Sequence, residues 1–184
     1  MSAPIQIPGQ IPVPRFSLAA RALHWLMALM ILSMLFIGIG MVSTVSDLHS
    51  RLLDLHRPLG LSILVLALIR LGVHLRYGAP AMPADLPRWQ HHAASISHIL
   101  LYALMLAMPL LGWAMLSAGG YPVTVGAGLV LPPIVPQSRS LYALLRGAHT
   151  DLALLFFATF LMHFAAALFH ALIRRDGVFR SMRP

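Results

Sequence analysis

Residues 22–46 form a run of twenty-five residues without a single formal charge, bounded by Arg21 and Asp47. As a helix this run is about 37 Å long, more than the roughly 30 Å hydrocarbon core of a bilayer. Backbone amides find no water in lipid, so such a run closes its hydrogen bonds internally as a helix. Three further spans follow, at residues 58–75 (interrupted only by Arg70), 98–117 (with a kink expected at Pro109) and 149–173, stopped by Arg174 and Arg175. Only 10% of the chain is charged, against about 25% in soluble domains, which places it in the membrane. The expected fold is all-α, an integral membrane four-helix bundle of up-down-up-down order in a lipid bilayer.

Composition also removes several chemistries. The chain has no cysteine, which excludes disulfides, thiolate ligands and cysteine-bound iron–sulfur clusters. All thirteen basic residues are arginine, so no lysine is present for Schiff-base chemistry. The net charge of +8 does not indicate nucleic acid, because the arginines flank apolar runs instead of forming one patch.

The arginines set the orientation. Arg15, Arg21, Arg76, Arg88, Arg174, Arg175, Arg180 and Arg183 fall at the two termini and the second loop, while Arg51, Arg57, Arg139 and Arg146 fall in the opposite loops. The positive-inside rule therefore predicts both termini in the cytoplasm. Residues 1–14, rich in Pro and Gly, read as a flexible tail without a cleaved signal peptide; residues 15–176 form the transmembrane domain and residues 177–184 a cytoplasmic C-terminal tail. The segment 119–147 is rich in Gly and Pro yet apolar, as expected of a cap lying on the outer membrane interface.

Ten histidines occur, and four of them form a pattern. His149 and His163 are fourteen residues apart on the fourth span, which places them on nearly one helix face and about 21 Å apart. His24 opens the first span on the cytoplasmic side and His56 the second on the outer side. The expected pairs are His24 with His163 at an inner level and His56 with His149 at an outer level. Interfacial histidines can simply reach for headgroups, but matched pairs at two depths point to function. Neutral imidazoles without carboxylates or thiolates suit porphyrin iron, and two axial histidines per iron leave no open position, so such a centre moves electrons. Without a CxxCH motif the haem is b-type. Gly60, one turn after His56, and Gly38 and Gly40 could make room for it.

Arg70 repeats the spacing, fourteen residues after His56, and its charge inside a span calls for an anion such as a propionate of the inner haem. His170, seven residues beyond His163, competes with it for the inner level. His98 reads as a supporting donor rather than a ligand; His91 and His92 read as solvated, and His49 and His74 as interfacial.

The stretches "RALHWLMALMILSMLFIGIGM", "DLHRPLGLSILVLALIRLGVHLR", "HILLYALMLAMPLLGWAM" and "GAHTDLALLFFATFLMHFAAALFH" resemble, in this order, the bacterial cytochrome b561 family of four-helix dihaem membrane proteins. The resemblance implies two stacked b-type haems with axial ligands His24, His56, His149 and His163, electron exchange with ubiquinone, and residence in the bacterial inner membrane. It further implies oxidation of superoxide at the outer face, since one type of member is a superoxide oxidase. The alternative is a cytochrome b subunit that relays electrons for a dehydrogenase or hydrogenase, although the short tails favour a protein with no obligate protein partner. Arg51, Arg57, Arg139 and Arg146 on the outer side would draw superoxide in.

Overall fold

The computed structural model describes residues 15–81, 85–125 and 128–183; the tail expected at residues 1–14 lies outside them. Four long helices dominate: α1 (Leu18–Ser43), α2 (Asp47–Tyr77), α3 (Arg88–Gly119) and α4 (Arg139–Leu168), the last continuing as a π-helical segment, Phe169–Arg174. A short helix, α5 (Val178–Met182), follows. Serine caps open three of the long helices: Ser17, Ser46 and Ser138 accept hydrogen bonds from the backbone N–H groups of Ala20, Leu48 and Leu141. Each cap satisfies a donor that the first turn would otherwise leave unpaired.

All four helices are long and apolar enough to cross a membrane, as the uncharged runs imply. Three of them begin well before those runs: α2 at Asp47, α3 at Arg88 and α4 at Arg139. Charge marks where a helix meets water or headgroups, not where its hydrogen bonding starts, so the polar first turns escape a hydropathy reading. Both α2 and α3 continue through an internal proline, Pro58 and Pro109.

Consecutive helices pack side by side, α1 along α2, α2 along α3 and α3 along α4. A buried layer of Met27, Ile31, Ile63, Ala67, Leu104, Met105 and Phe156 joins all four at mid-height. The outward face is apolar, with Leu29, Phe36, Ile99, Leu154 and Met162 exposed, which is the surface a bilayer covers. Among the described residues the backbones of α1 and α2 hardly approach α4. Side chains reach across that seam instead.

The segment between α3 and α4 is shorter than the 119–147 loop expected, because α4 takes its last nine residues. It holds a two-stranded antiparallel hairpin, β1 (Val123–Val125) and β2 (Leu129–Leu131), with Thr124 opposite Val130. The hairpin region is pinned to α3: Trp113 Nε1 donates to Pro132 O at 3.0 Å, and the Ile134 N–H donates to Ser117 Oγ at 3.2 Å. At the opposite end the C-terminal segment straps across the start of α1. Phe16 N–H donates to Ser181 O at 3.1 Å and Trp25 Nε1 to Met182 O at 2.9 Å. The guanidiniums of Arg15 and Arg21 both donate to Arg183 O, at 2.9 and 2.8 Å. These two ends are called the hairpin end and the strap end below.

Candidate functional site

Two imidazole pairs bridge the seam. At the strap end the ring centres of His24 (α1) and His163 (α4) are 6.3 Å apart with planes at 67°. At the hairpin end those of His56 (α2) and His149 (α4) are 6.2 Å apart at 62°. The pairings are those expected from the fourteen-residue spacing between His149 and His163; depth alone favours His170 for the inner level. His170 stands elsewhere: its Nδ1 is 2.6 Å from the Asp176 carboxylate, so the structure brings His163, not its rival, to His24.

These separations test the fit to a haem. With metal–imidazole bonds of about 2 Å and a ring nitrogen about 1.2 Å from its ring centre, two imidazoles trans on one iron have centres about 6.3 Å apart. Both pairs have that spacing. Among the described residues no group of three or more His or Asp side chains could hold a bare metal ion. Two donors per level suit an iron whose other four bonds come from a porphyrin. The residues present fit two b-type haems.

The helix α4 organises this arrangement. Tyr142, His149, Phe156 and His163 recur every seven residues and therefore lie on nearly one face of α4, successive ones about 10.5 Å apart. Phe156, between His149 and His163 in the heptad series, is buried in the mid-height layer. The spacing of fourteen is half-legible at once; the aromatic residue at seven completes it.

Charged groups attend both levels. Arg70 Nε donates to the Tyr102 hydroxyl at 3.1 Å, and its Cζ lies 5.8 Å from the Tyr102 ring centre. Its Nη1 is buried and has no hydrogen-bond partner among the described residues. A buried guanidinium nitrogen left unpaired is costly, and a propionate oxygen would satisfy it. Tyr102 lies one turn beyond His98 on α3, and His98 lies against His163, which places Arg70 at the strap-end level. Arg57, next to His56 in the chain, has the same character at the hairpin end, where its Nε is buried without a hydrogen-bond partner among the described residues. From the sequence Arg57 groups with the outer arginines that would draw in superoxide; its place directly after His56 is the signal that sets it apart from them.

His98, read from the sequence as a supporting donor, lies beside the strap-end pair. Its ring centre lies 5.5 Å from that of His163, so three imidazoles crowd the strap-end level. Tyr102 lies one turn further along α3 and His74 is 6.0 Å from it. Gly60 does not face empty space, since a Cβ there would touch Met34 Cε at 3.6 Å. Gly112 is the glycine that matters for a ligand: a Cβ there would stand 3.4 Å from His149 Cε1. Nothing in the α3 sequence alone pairs Gly112 with a ring on another helix.

The sequence pattern of the prokaryotic cytochrome b561 family matches residues 15–184. The chain is 31% identical over 178 residues to "Cytochrome b561 homolog 1" of Escherichia coli (strain K12), covering 92% of this chain and 97% of that protein. It is 28% identical over 130 residues to the "Probable superoxide oxidase CybB" of Yersinia pestis, covering 71% and 73% of the two chains. "Cytochrome b561 homolog 2" of Escherichia coli (strain K12) is 27% identical over 173 residues, or 91% and 90%. The chain belongs to the prokaryotic cytochrome b561 family, the membrane electron-transfer cytochromes of bacteria.

Proposed function

We propose that this protein is a dihaem superoxide:ubiquinone oxidoreductase, with both termini in the cytoplasm and the hairpin end on the outer face of the inner membrane. The observation that carries the reading is the pair of bis-imidazole spacings at two levels of one seam. The likeness to a probable superoxide oxidase over 71% of the chain supports the choice of donor. In the overall reaction two superoxide anions each lose one electron to become dioxygen, and those two electrons with two protons convert ubiquinone to ubiquinol.

When bound, the haems supply reversible one-electron chemistry at coordinatively saturated iron. His24 with His163, and His56 with His149, hold them; Arg70 and Arg57 offer the unpaired guanidinium nitrogens that neutralise carboxylates. The mid-height layer around Phe156 keeps water from the space between the levels. At the hairpin end Arg51, Arg139 and Arg146 are exposed, a cationic rim that favours the approach of a small anion.

Rapid mixing of the purified chain with superoxide, followed by haem absorbance and by ubiquinol formation, tests this reading. Both signals are expected without any other subunit. Electrostatic steering further predicts a rate that falls several-fold between about 10 and 150 mM salt, as the screening length shrinks from about 30 Å to 8 Å. Haem reduction only through a soluble partner enzyme, with none by superoxide, would make the protein a relay subunit instead.

A further inference from the structure

At the hairpin end a cavity of about 400 Å³ opens between the last turn of α3, the start of the hairpin and the first turn of α4. Its wall comprises Gly119, Tyr121, Gln137, Ser138, Arg139 and Tyr142. Neither the axial ligands nor the two arginines assigned to propionates take part. Small-molecule sites typically occupy 300–1,000 Å³, whereas a water-sized species takes about 30 Å³. The space is thus an order of magnitude larger than superoxide needs.

Two successive glycines shape it. A Cβ on Gly119 would lie 2.6 Å from the Tyr121 ring and 2.9 Å from the Tyr142 ring, so only glycine lets both phenols close on this wall. Gly120, at φ +74°, ends α3 in the left-handed region, and a Cβ there would press on the Gln137 amide at 3.2 Å. The two tyrosine rings are 6.0 Å apart and inclined at 59°, a tilted pair that lines the space. Arg139 supplies a cation on the same wall, and the described ion pairs leave it without a carboxylate. The first turn of α4 has no acidic residue to neutralise it.

We infer that this cavity is a binding site for a planar organic anion, an aromatic carboxylate or phenolate, with Arg139 taking the charged oxygens and Tyr121 and Tyr142 flanking the ring. A guanidinium pairs with a carboxylate in a two-pronged fashion, tilted phenol rings favour edge and face contact with a third ring, and Gln137 adds an amide. Tyr142 stands two turns above His149 on the same face of α4, so a molecule bound there lies over the hairpin-end imidazole pair. The inference holds whether or not superoxide is the electron donor.

Calorimetric titration of the full chain, loaded with haem and held in lipid nanodiscs, with benzoate is the direct test. One saturable benzoate per chain is expected, with cyclohexanecarboxylate binding more weakly and inorganic phosphate failing to compete. Arg139→Gln and Tyr142→Leu should each weaken benzoate at least ten-fold while the haem absorbance spectrum stays unchanged, which shows that the bundle is intact. No saturable binding, or unchanged affinity in both variants, overturns the site. Displacement of benzoate by phosphate, or its loss only when the discs contain phosphatidylglycerol, would assign the cavity to a phosphate anion or a lipid headgroup and also overturn it. Superoxide-driven haem reduction is read separately on the same samples, so its failure and the failure of this site are distinguishable.

Discussion

The two ends of the seam hold nearly identical imidazole pairs in different surroundings. Their ring separations are 6.3 and 6.2 Å. Around them little is shared. The strap-end pair has His98 against His163, Arg70 bonded to Tyr102, and a C-terminal segment tied down by Arg15, Arg21 and Trp25. The hairpin-end pair has Arg57 beside it, Gly112 behind His149, and imidazole Nδ1 atoms on both His56 and His149 that are buried without hydrogen-bond partners among the described residues. Ligand spacing is therefore fixed by the bundle, whereas the electrostatic setting of each level is chosen separately. On the proposed dihaem reading, two centres of one chemical type could then differ in potential, which would bias electron flow in one direction.

The largest effect should come from breaking one level at a time. His163→Ala is expected to lower the haem content from two to one per chain by emptying the strap end, and His149→Ala to do the same at the hairpin end. His170→Ala should keep both haems, since that ring is bonded to Asp176. Pyridine-haem assays against protein concentration give the ratio. If His163→Ala lost both haems, the levels would not be independent and the comparison would fail.

A smaller effect separates the two settings. Removing a cation beside a haem favours the oxidised form, so Arg70→Gln should lower the strap-end potential by roughly 60 mV, the equivalent of one tenfold step for a single electron. Arg57→Gln should lower the hairpin-end potential instead. Redox titration of the two variants, resolved into two components, checks this. Movement of the same component by both substitutions would mean that the guanidiniums do not divide between levels.

Much of this was legible in the chain. The uncharged runs located four spans because lipid tolerates few charges, and the spacing of fourteen on α4 and between His56 and Arg70 located two levels because helix geometry is rigid. What escaped depended on contacts between helices. Gly112 faces His149 through the packing of α3 on α4, and His98 reaches His163 the same way; no periodicity within α3 reports either. The helix starts at Asp47, Arg88 and Arg139 were hidden by polar first turns. Local hydrogen bonding formed the strap from residues that read as a plain tail, because a five-residue helix carries too little pattern to recognise.

The smallest effect concerns that strap and acid. Asp176 lies just outside the last span, and its side chain is 7% exposed. Burial works to raise its pKa, but the hydrogen bonds from His170 and from the Val178 N–H, with the charges of His170 and Arg174, outweigh it and hold the carboxyl below its usual value. The π-helical segment makes this possible: Arg175 N–H reaches back to His170 O at 2.9 Å and Arg175 adopts φ 53°, turning the chain so that Asp176 meets His170. With the strap released the carboxyl regains an ordinary pKa of about 3.9. A folded-state pKa lower than that means stabilisation fully present above about pH 5 and lost as pH falls through the lowered value. Asp176→Asn should therefore cost about 1 kcal/mol at neutral pH and remove the acid-dependent loss. Hydrogen exchange at the Ser181 amide, which donates to Gly177 O at 3.0 Å, reads it as roughly five-fold weaker protection. Haem content should not change, because the imidazole pair at the strap end is set by α1 and α4. Unaltered protection would show that Arg15, Arg21 and Trp25 hold the strap alone; a lost haem would show that the strap helps to set the ligand spacing, and the separation between spacing and setting would no longer hold.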